Sequence, residues 1–205
     1  SSNGTTKFPD VPSDHWATGA INVADQQGLV IGDTEGTFRP DDNVTFEEAV
    51  TIIVRALGYE PAAQDKGGFP TGYMYIASSN QLLRGIDAVS TQPAKRGDIA
   101  QLVFNAMTVN LMEQVGYGSS ATYEVVDKTL LYDRLNVEKA YGQITGTDET
   151  TLTGGAATSD NRIIIDNQNY LAGDTNAAQY LGYNVLYYAR IDKTSDERKY
   201  IKTAY

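Results

Sequence analysis

The apolar positions of the first hundred residues recur at helical spacing, and those of the last seventy cluster in short β-branched and aromatic runs. In SDHWATGAINVADQQGLV, the residues Trp16, Ala17, Ala20, Ile21 and Ala24 fall on one face of a predicted helix. Ser13 or Asp14 can cap its start with a side-chain oxygen, and Gly28 can terminate it in a left-handed turn. The loop GDTEGTFRPDDN follows, and a second helix is predicted from Thr45. Thr45 and Glu48 form a T-x-x-E capping box, in which hydroxyl and carboxylate each satisfy a free backbone amide. Ala49, Ile52, Ile53, Ala56 and Leu57 make the expected buried stripe, and Gly58 the stop.

The same pattern then returns. At an offset of 53, Phe69 falls on Trp16, Met74 on Ile21, Ala77 on Ala24, Leu82 on Leu29 and Gly85 on Gly32. At an offset of 50, Ile99, Leu102, Val103, Ala106 and Met107 fall on the stripe of the second helix. The change of offset shortens the second loop by three residues and removes the counterpart of FRPDD. A period near 50 marks a duplicated supersecondary unit whose copies bury their stripes against each other.

Residues 109–138 give a mixed signal: GYGSS reads as loop and DKTLLYDRL as a short helix capped by Asp127. Strands are expected around 140–146, 151–154, 162–166, 169–172, 183–191 and 199–204, with RIIID and YNVLYYARI the richest in β formers. GTDETT, TGGAATSDN and DKTSDERK read as turns, and NQNY as part of a hairpin. The expected class is α+β: an N-terminal all-α repeat unit, then a small all-β barrel-like or sandwich domain. The expected divisions are 8–60, 61–110 (a degenerate copy), a connector at 111–138, and 139–205.

Composition narrows the chemistry. A net charge of −10 and a pI near 4.5 argue against nucleic acid, which requires clustered Lys and Arg. The absence of Cys excludes disulfides, thiolate metal sites and a Cys nucleophile. His15 is the one His, so neither a zinc site nor a Ser-His-Asp triad is expected around it. GDTEGT and AGDTNA depart from the calcium-loop pattern, and no metal or cofactor is expected. No run of about 18 apolar residues occurs, so no membrane insertion by a helix is expected. The polar start SSNGTT carries no signal-peptide pattern.

The stretch FPDVPSDHWATGAINVADQQGLVIGDTEGTFRPDDNVTFEEAVTIIVRALGY resembles an S-layer homology module throughout. Residues 66–108 resemble the same module in worn form, with both helices kept. The resemblance is to surface proteins of Gram-positive, clostridial-type Firmicutes. It implies an exported wall anchor that binds secondary cell-wall polysaccharide, often pyruvylated and therefore anionic. It also implies three modules in a pseudo-threefold unit, with ligand grooves between them and a T-R-A-E binding motif at the start of each second helix. Here that motif reads Thr45-Phe46-Glu47-Glu48 in the first copy and Lys95-Arg96-Gly97-Asp98 in the second. The family's Arg is thus present once, at Arg96.

The candidate carbohydrate-binding residues are Arg96 and Lys95 on one wall of a groove, with Asp14, His15 and Trp16 on the other. A guanidinium beside free helix-start amides suits a carboxylate, and an indole face suits a sugar ring. Trp16 has a competing role as the first residue of the buried stripe. Tyr180, Tyr183, Tyr187, Tyr188 and Tyr200 read as core plus ordinary surface, with Tyr183 and Tyr187 sharing one strand face. The expected function is non-enzymatic, non-covalent attachment to the extracellular wall or S-layer. One alternative is a structural assembly protein whose modules bind each other or other surface subunits, with Phe46 as an exposed apolar contact. Another is the anchoring end of a larger surface enzyme.

Overall fold

A computed structural model describes residues 4–116, 118, 121–159, 161–191 and 199–204. The turn expected at DKTSDERK and the side chain of Tyr200 lie outside the described residues. The fold is α+β, and it divides into two compact units, Ser1–Asp127 and Lys128–Tyr205.

The first unit contains α1 (Thr18–Gln26), α2 (Phe46–Ala56), α3 (Glu60–Asp65), α4 (Thr71–Ser79) and α5 (Arg96–Ala106). It ends in a two-stranded sheet of β1 (Asn110–Gln114) and β2 (Tyr123–Thr129), so this unit is not all-α. The duplication is exact in length: α1 and α4 have nine residues each, and α2 and α5 have eleven. The copies nevertheless do not fold as separate bodies. α2 packs on α4 and on α5, and α4 packs on α3. α1 instead joins a small cluster of Ile21 with Phe8 and Val11, flanked by Ala17, Val30 and Phe38.

Burial rotates the predicted stripes. On α2 the buried apolar side chains are Phe46, Ala49, Val50 and Val54, with Leu57 just past its end, whereas Ile52, Ile53 and Ala56 are half-buried. α2 is amphipathic, with Glu47, Glu48, Thr51 and Arg55 between its apolar residues, and its neighbours select which of those apolar residues are most buried. α1 begins later than expected, with Ala17 at the cap position, so neither Ser13 nor Asp14 caps it. Trp16 and Ala20 are exposed, and Thr18 and Ile21 are buried instead. Gly28 does end the helix: its N–H bonds the carbonyl of Asp25, and Leu29 N–H bonds that of Ala24. Gly58 ends α2 and leaves room for β1, since a Cβ there would collide with the Met112 carbonyl oxygen. Met112 N–H donates to the Leu57 carbonyl, and the Tyr59 hydroxyl to that of Asn110.

The second unit opens with α6 (Leu130–Leu135), capped by Thr129 rather than by Asp127. Five strands follow: β3 (Val137–Gly146), β4 (Arg162–Ile165), β5 (Gln168–Leu171), β6 (Asn184–Ile191) and β7 (Lys199–Ala204). Pairing runs β3–β4–β5–β7–β6 and returns from β6 to β3, with β5–β7 the one parallel pair. The strand expected at 151–154 is reduced to a bridge between Gly146 and Thr151. β4 and β5 form a hairpin across Asp166 and Asn167, both at positive φ as a type I′ turn requires. The core is Ile144, Ile163, Ile165, Val185 and Ala189, with Tyr170 and Tyr187 joined through their hydroxyls at 3.0 Å. Burial, with that hydroxyl second, pushes the Tyr187 phenol well above its usual range. Tyr187 is buried within β6, whereas Tyr183 lies just before that strand and is exposed.

Candidate functional site: the two helix starts

The first turns of α2 and α5 have the same place in each copy but opposite surroundings. At α2, Thr45 and Glu48 form the predicted capping box: the hydroxyl accepts from Glu48 N–H, and the carboxylate accepts from Thr45 N–H at 2.8 Å. Phe46 is only 3% exposed. It is therefore core, not the exposed protein contact that its motif position implies. The amides of Phe46 and Glu47 are also taken, donating to the carbonyls of Gln92 and Ser90 at 3.0 and 2.9 Å. Ala94 N–H returns a bond to the Val44 carbonyl, and Thr45 bridges Pro93. The segment leading into α5 thus seals the start of α2.

The GTFRPDD loop is bound to the same cap. Asp10 accepts from Phe38 N–H and Arg39 N–H, and Asp33 accepts from the amides of Glu35 and Thr37 and from the Thr37 hydroxyl. Arg39, itself at positive φ, donates to Glu48 at 2.7 Å and lies 3.6 Å from Asp33. For Asp10 and Glu48, desolvation works against the ionised form, and hydrogen bonds outweigh it. For Asp33 the Thr37 hydroxyl leads. All three carboxyls are held below their usual range. Asp33, in GDTEGT, therefore caps its own loop.

At α5 the start is open. Lys95 occupies the cap position, makes no side-chain cap bond and is exposed, as is Arg96. Among the described residues, neither has an ion-pair partner, and the backbone N–H groups of Arg96, Gly97 and Asp98 carry no hydrogen bond. Two cations, one first-turn acid (Asp98) and three free amides leave a net positive, donor-rich helix start.

The other three candidates sit before α1. His15 is structural: its Nδ1 accepts from Ala17 N–H at 3.2 Å, which leaves Nε2 to donate to Asp41 at 3.4 Å. Asp14 is exposed. Trp16 is 86% exposed, against its expected place in the stripe, and its ring lies 5.6 Å from that of His15. Among the described residues, no hydrogen bond or ion pair joins this cluster to Lys95 or Arg96. Sequence reading missed Asp41, 26 positions from His15, because no local spacing signals that pairing. It did place free helix-start amides beside Arg96, and the lost capping Thr at position 95 goes with them.

Residues 7–50 match the model of the S-layer homology domain. The chain is 39% identical over 148 residues to the "Middle cell wall protein" of Brevibacillus brevis, covering 71% of this chain and 14% of that protein. It is 39% identical over 132 residues to the "Surface layer protein" of Brevibacillus choshinensis, with 64% and 12% covered. It is 28% identical over 182 residues to the "Cell surface protein" of Thermoanaerobacter kivui, with 89% and 22% covered. The chain thus spans about a quarter or less of the length of these relatives, all named for walls and surfaces rather than for a catalytic activity. No helix among the described residues is long and apolar enough to cross a membrane. With its module signature, its duplicated helices and these relatives together, the chain is an S-layer homology protein of the Gram-positive-type cell surface, located outside the cell in the wall and S-layer.

Proposed function

We propose that this chain is a non-enzymatic anchoring region that holds an anionic secondary cell-wall polysaccharide, non-covalently, at the start of α5. In this reading, 8–60 and 61–110 are the two modules, and 139–205 is a small barrel-like domain joined through 111–138. The observation that carries it is the contrast between the two helix starts. The first copy's amides are bonded and its motif side chain is buried, whereas the second copy presents Arg96, Lys95 and three free amides. A pyruvyl carboxylate would be gripped there by a guanidinium fork backed by backbone donors. Trp16 and Asp14 offer a second sugar-facing surface, with the exposed indole as its stacking element. The assembly alternative draws no support from Phe46. The short span of the relatives that is matched leaves room for further segments, a catalytic one included, in a longer protein.

The test is a pull-down on purified wall sacculi with and without their secondary polysaccharide. The wild type is retained only when the polysaccharide is present. Arg96→Ala loses roughly tenfold or more in affinity, the range for a hydrogen bond to a charged group. Retention indifferent to polysaccharide removal overturns the reading.

A further inference from the structure

Strand alternation sorts β3 and β6 into two faces. Ile144, Val185, Tyr187 and Ala189 point into the core, so the residues between them point out. The register fixes which outward side chains are neighbours: Lys139 stands opposite Tyr188, Tyr141 opposite Leu186, and Gln143 opposite Asn184. Three rows two residues apart reach about 14 Å, the length of an extended chain rather than of one small molecule. Tyr141 is 68% exposed, and Lys139, Asn184 and Leu186 are exposed with it. The Lys139 ammonium lies 5.9 Å from the centre of the Tyr188 ring, and Arg190 follows on the same side of β6. Among the described residues, neither cation has an ion-pair partner. No acid occupies a place in the three rows, although the chain carries a net charge of −10. Gln143 is fixed in its row. Its N–H donates to Asp166 Oδ1 at 3.1 Å and its side-chain amide to the Gly182 carbonyl at 2.9 Å, which leaves its own side-chain oxygen to accept. Gly142 permits this close approach, since a Cβ there would meet the Asp166 and Ile165 side chains. Single exposed aromatics are ordinary, but here ring, amide and cation stand in adjoining rows.

The geometry points to a glycan-binding surface on the β unit: the outward face of β3 and β6 takes an acidic oligosaccharide chain. The Tyr141 ring offers a rigid apolar surface to the C–H side of a pyranose, with its hydroxyl as a polar tip. Gln143 and Asn184 offer donors and acceptors to sugar hydroxyls, and Lys139 and Arg190 offer charged donors to a carboxylate. The charge complement selects an acidic sugar over a neutral one, because two unpaired cations stand together on a chain that is otherwise strongly anionic. A protein partner fits less well. Protein contacts draw on desolvated apolar anchors, and Leu186 is the one aliphatic side chain in the three rows. The face belongs to a different unit from the start of α5 and uses none of its residues, so it stands or falls apart from the reading given there.

Titration calorimetry of the whole chain with oligogalacturonate, an acidic oligosaccharide, and with malto-oligosaccharide, a neutral one, tests it. Arg96→Ala serves as the parent protein, so that the start of α5 lacks its guanidinium. At about 0.15 M salt the overall negative charge is screened beyond about 8 Å, and the local face decides. The parent binds oligogalacturonate with a Kd of about 1 mM or tighter and shows no heat with the neutral sugar. Adding Tyr141→Ala weakens binding about tenfold, the loss of one stacked ring, whereas Tyr141→Phe leaves it within about twofold. Both substitutions are at an exposed site, and far-UV circular dichroism verifies that the fold is kept. No binding by the parent, equal binding of the neutral sugar, or a Kd indifferent to Tyr141→Ala overturns the inference. So does a mass by light scattering that grows with concentration in the absence of sugar and is lost in Tyr141→Ala, because the face would then join copies of the chain.

Discussion

Gln81 holds the left-handed position that ends α4, at φ 58°, where the first copy has Gly28 at φ 69°. Its N–H bonds the Ser78 carbonyl, and Leu82 N–H bonds that of Ala77, so the motif is intact and only the residue is unfavourable. A side chain in this region costs about 1–2 kcal/mol, and a glycine gives back part of the gain as unfolded-chain entropy. Gln81→Gly is therefore expected to raise stability by about 0.5–1 kcal/mol, and Gly28→Ala to lower it by a similar amount, both measured by urea unfolding. The same comparison applies at Lys95 and Thr45, where an identical place in the fold has kept a cap in one copy and lost it in the other. The worn copy departs from the rules of local structure at the exposed start of α5, the place that the proposed function uses.

The loop before α2 is an element stabilised by ionised carboxylates. Asp10, Asp33 and Glu48 bind fewer protons folded than unfolded, because hydrogen bonds hold their carboxyls below the ordinary values of 3.8 and 4.5. Their contribution is present above those values and is lost as pH falls through the depressed ones. Helical ellipticity is therefore expected to hold above pH 4.5 and fall below it, and Asp10→Asn should flatten that fall. A fall unchanged in Asp10→Asn would remove the loop from the account. Much of this element was legible in advance: the T-x-x-E box and the stop glycines follow from local spacing. The buried stripe was not, because Phe46, Val50 and Val54 are selected by α4 and the 90–94 segment, which helical periodicity does not contain. Trp16 was misplaced for the related reason that α1 starts at Thr18, after a turn in which the His15 ring accepts from the Ala17 N–H, so that Trp16 precedes the helix. In the β region, runs of β-branched and aromatic residues located five strands, but the run at 151–154 had β formers without a partner strand beyond one bridge. Of the candidate site, Arg96, Lys95 and the free amides beside them were legible as a helix start without a capping Thr, whereas the sealing of the first copy's start by residues 90–94 was visible only as structure.

Over the whole molecule, the helical unit and the β unit have separate cores, one holding Leu102 and Val54 and the other Ile163 and Ile144. Separate cores predict separate unfolding events rather than one two-state transition. Calorimetry is expected to resolve two peaks. Leu102→Ala should lower one and Ile163→Ala the other, each by about 2–5 kcal/mol as for large-to-small changes at fully buried sites. A single peak moved by both variants would contradict this. The bonds from Phe46 and Glu47 to Gln92 and Ser90 tie the start of α2 to the second copy. A fragment that stops before Ser90 would leave both amides without these partners, so the first copy is not a separable module, and a cut between the two copies would be felt at the helix start rather than at the cut.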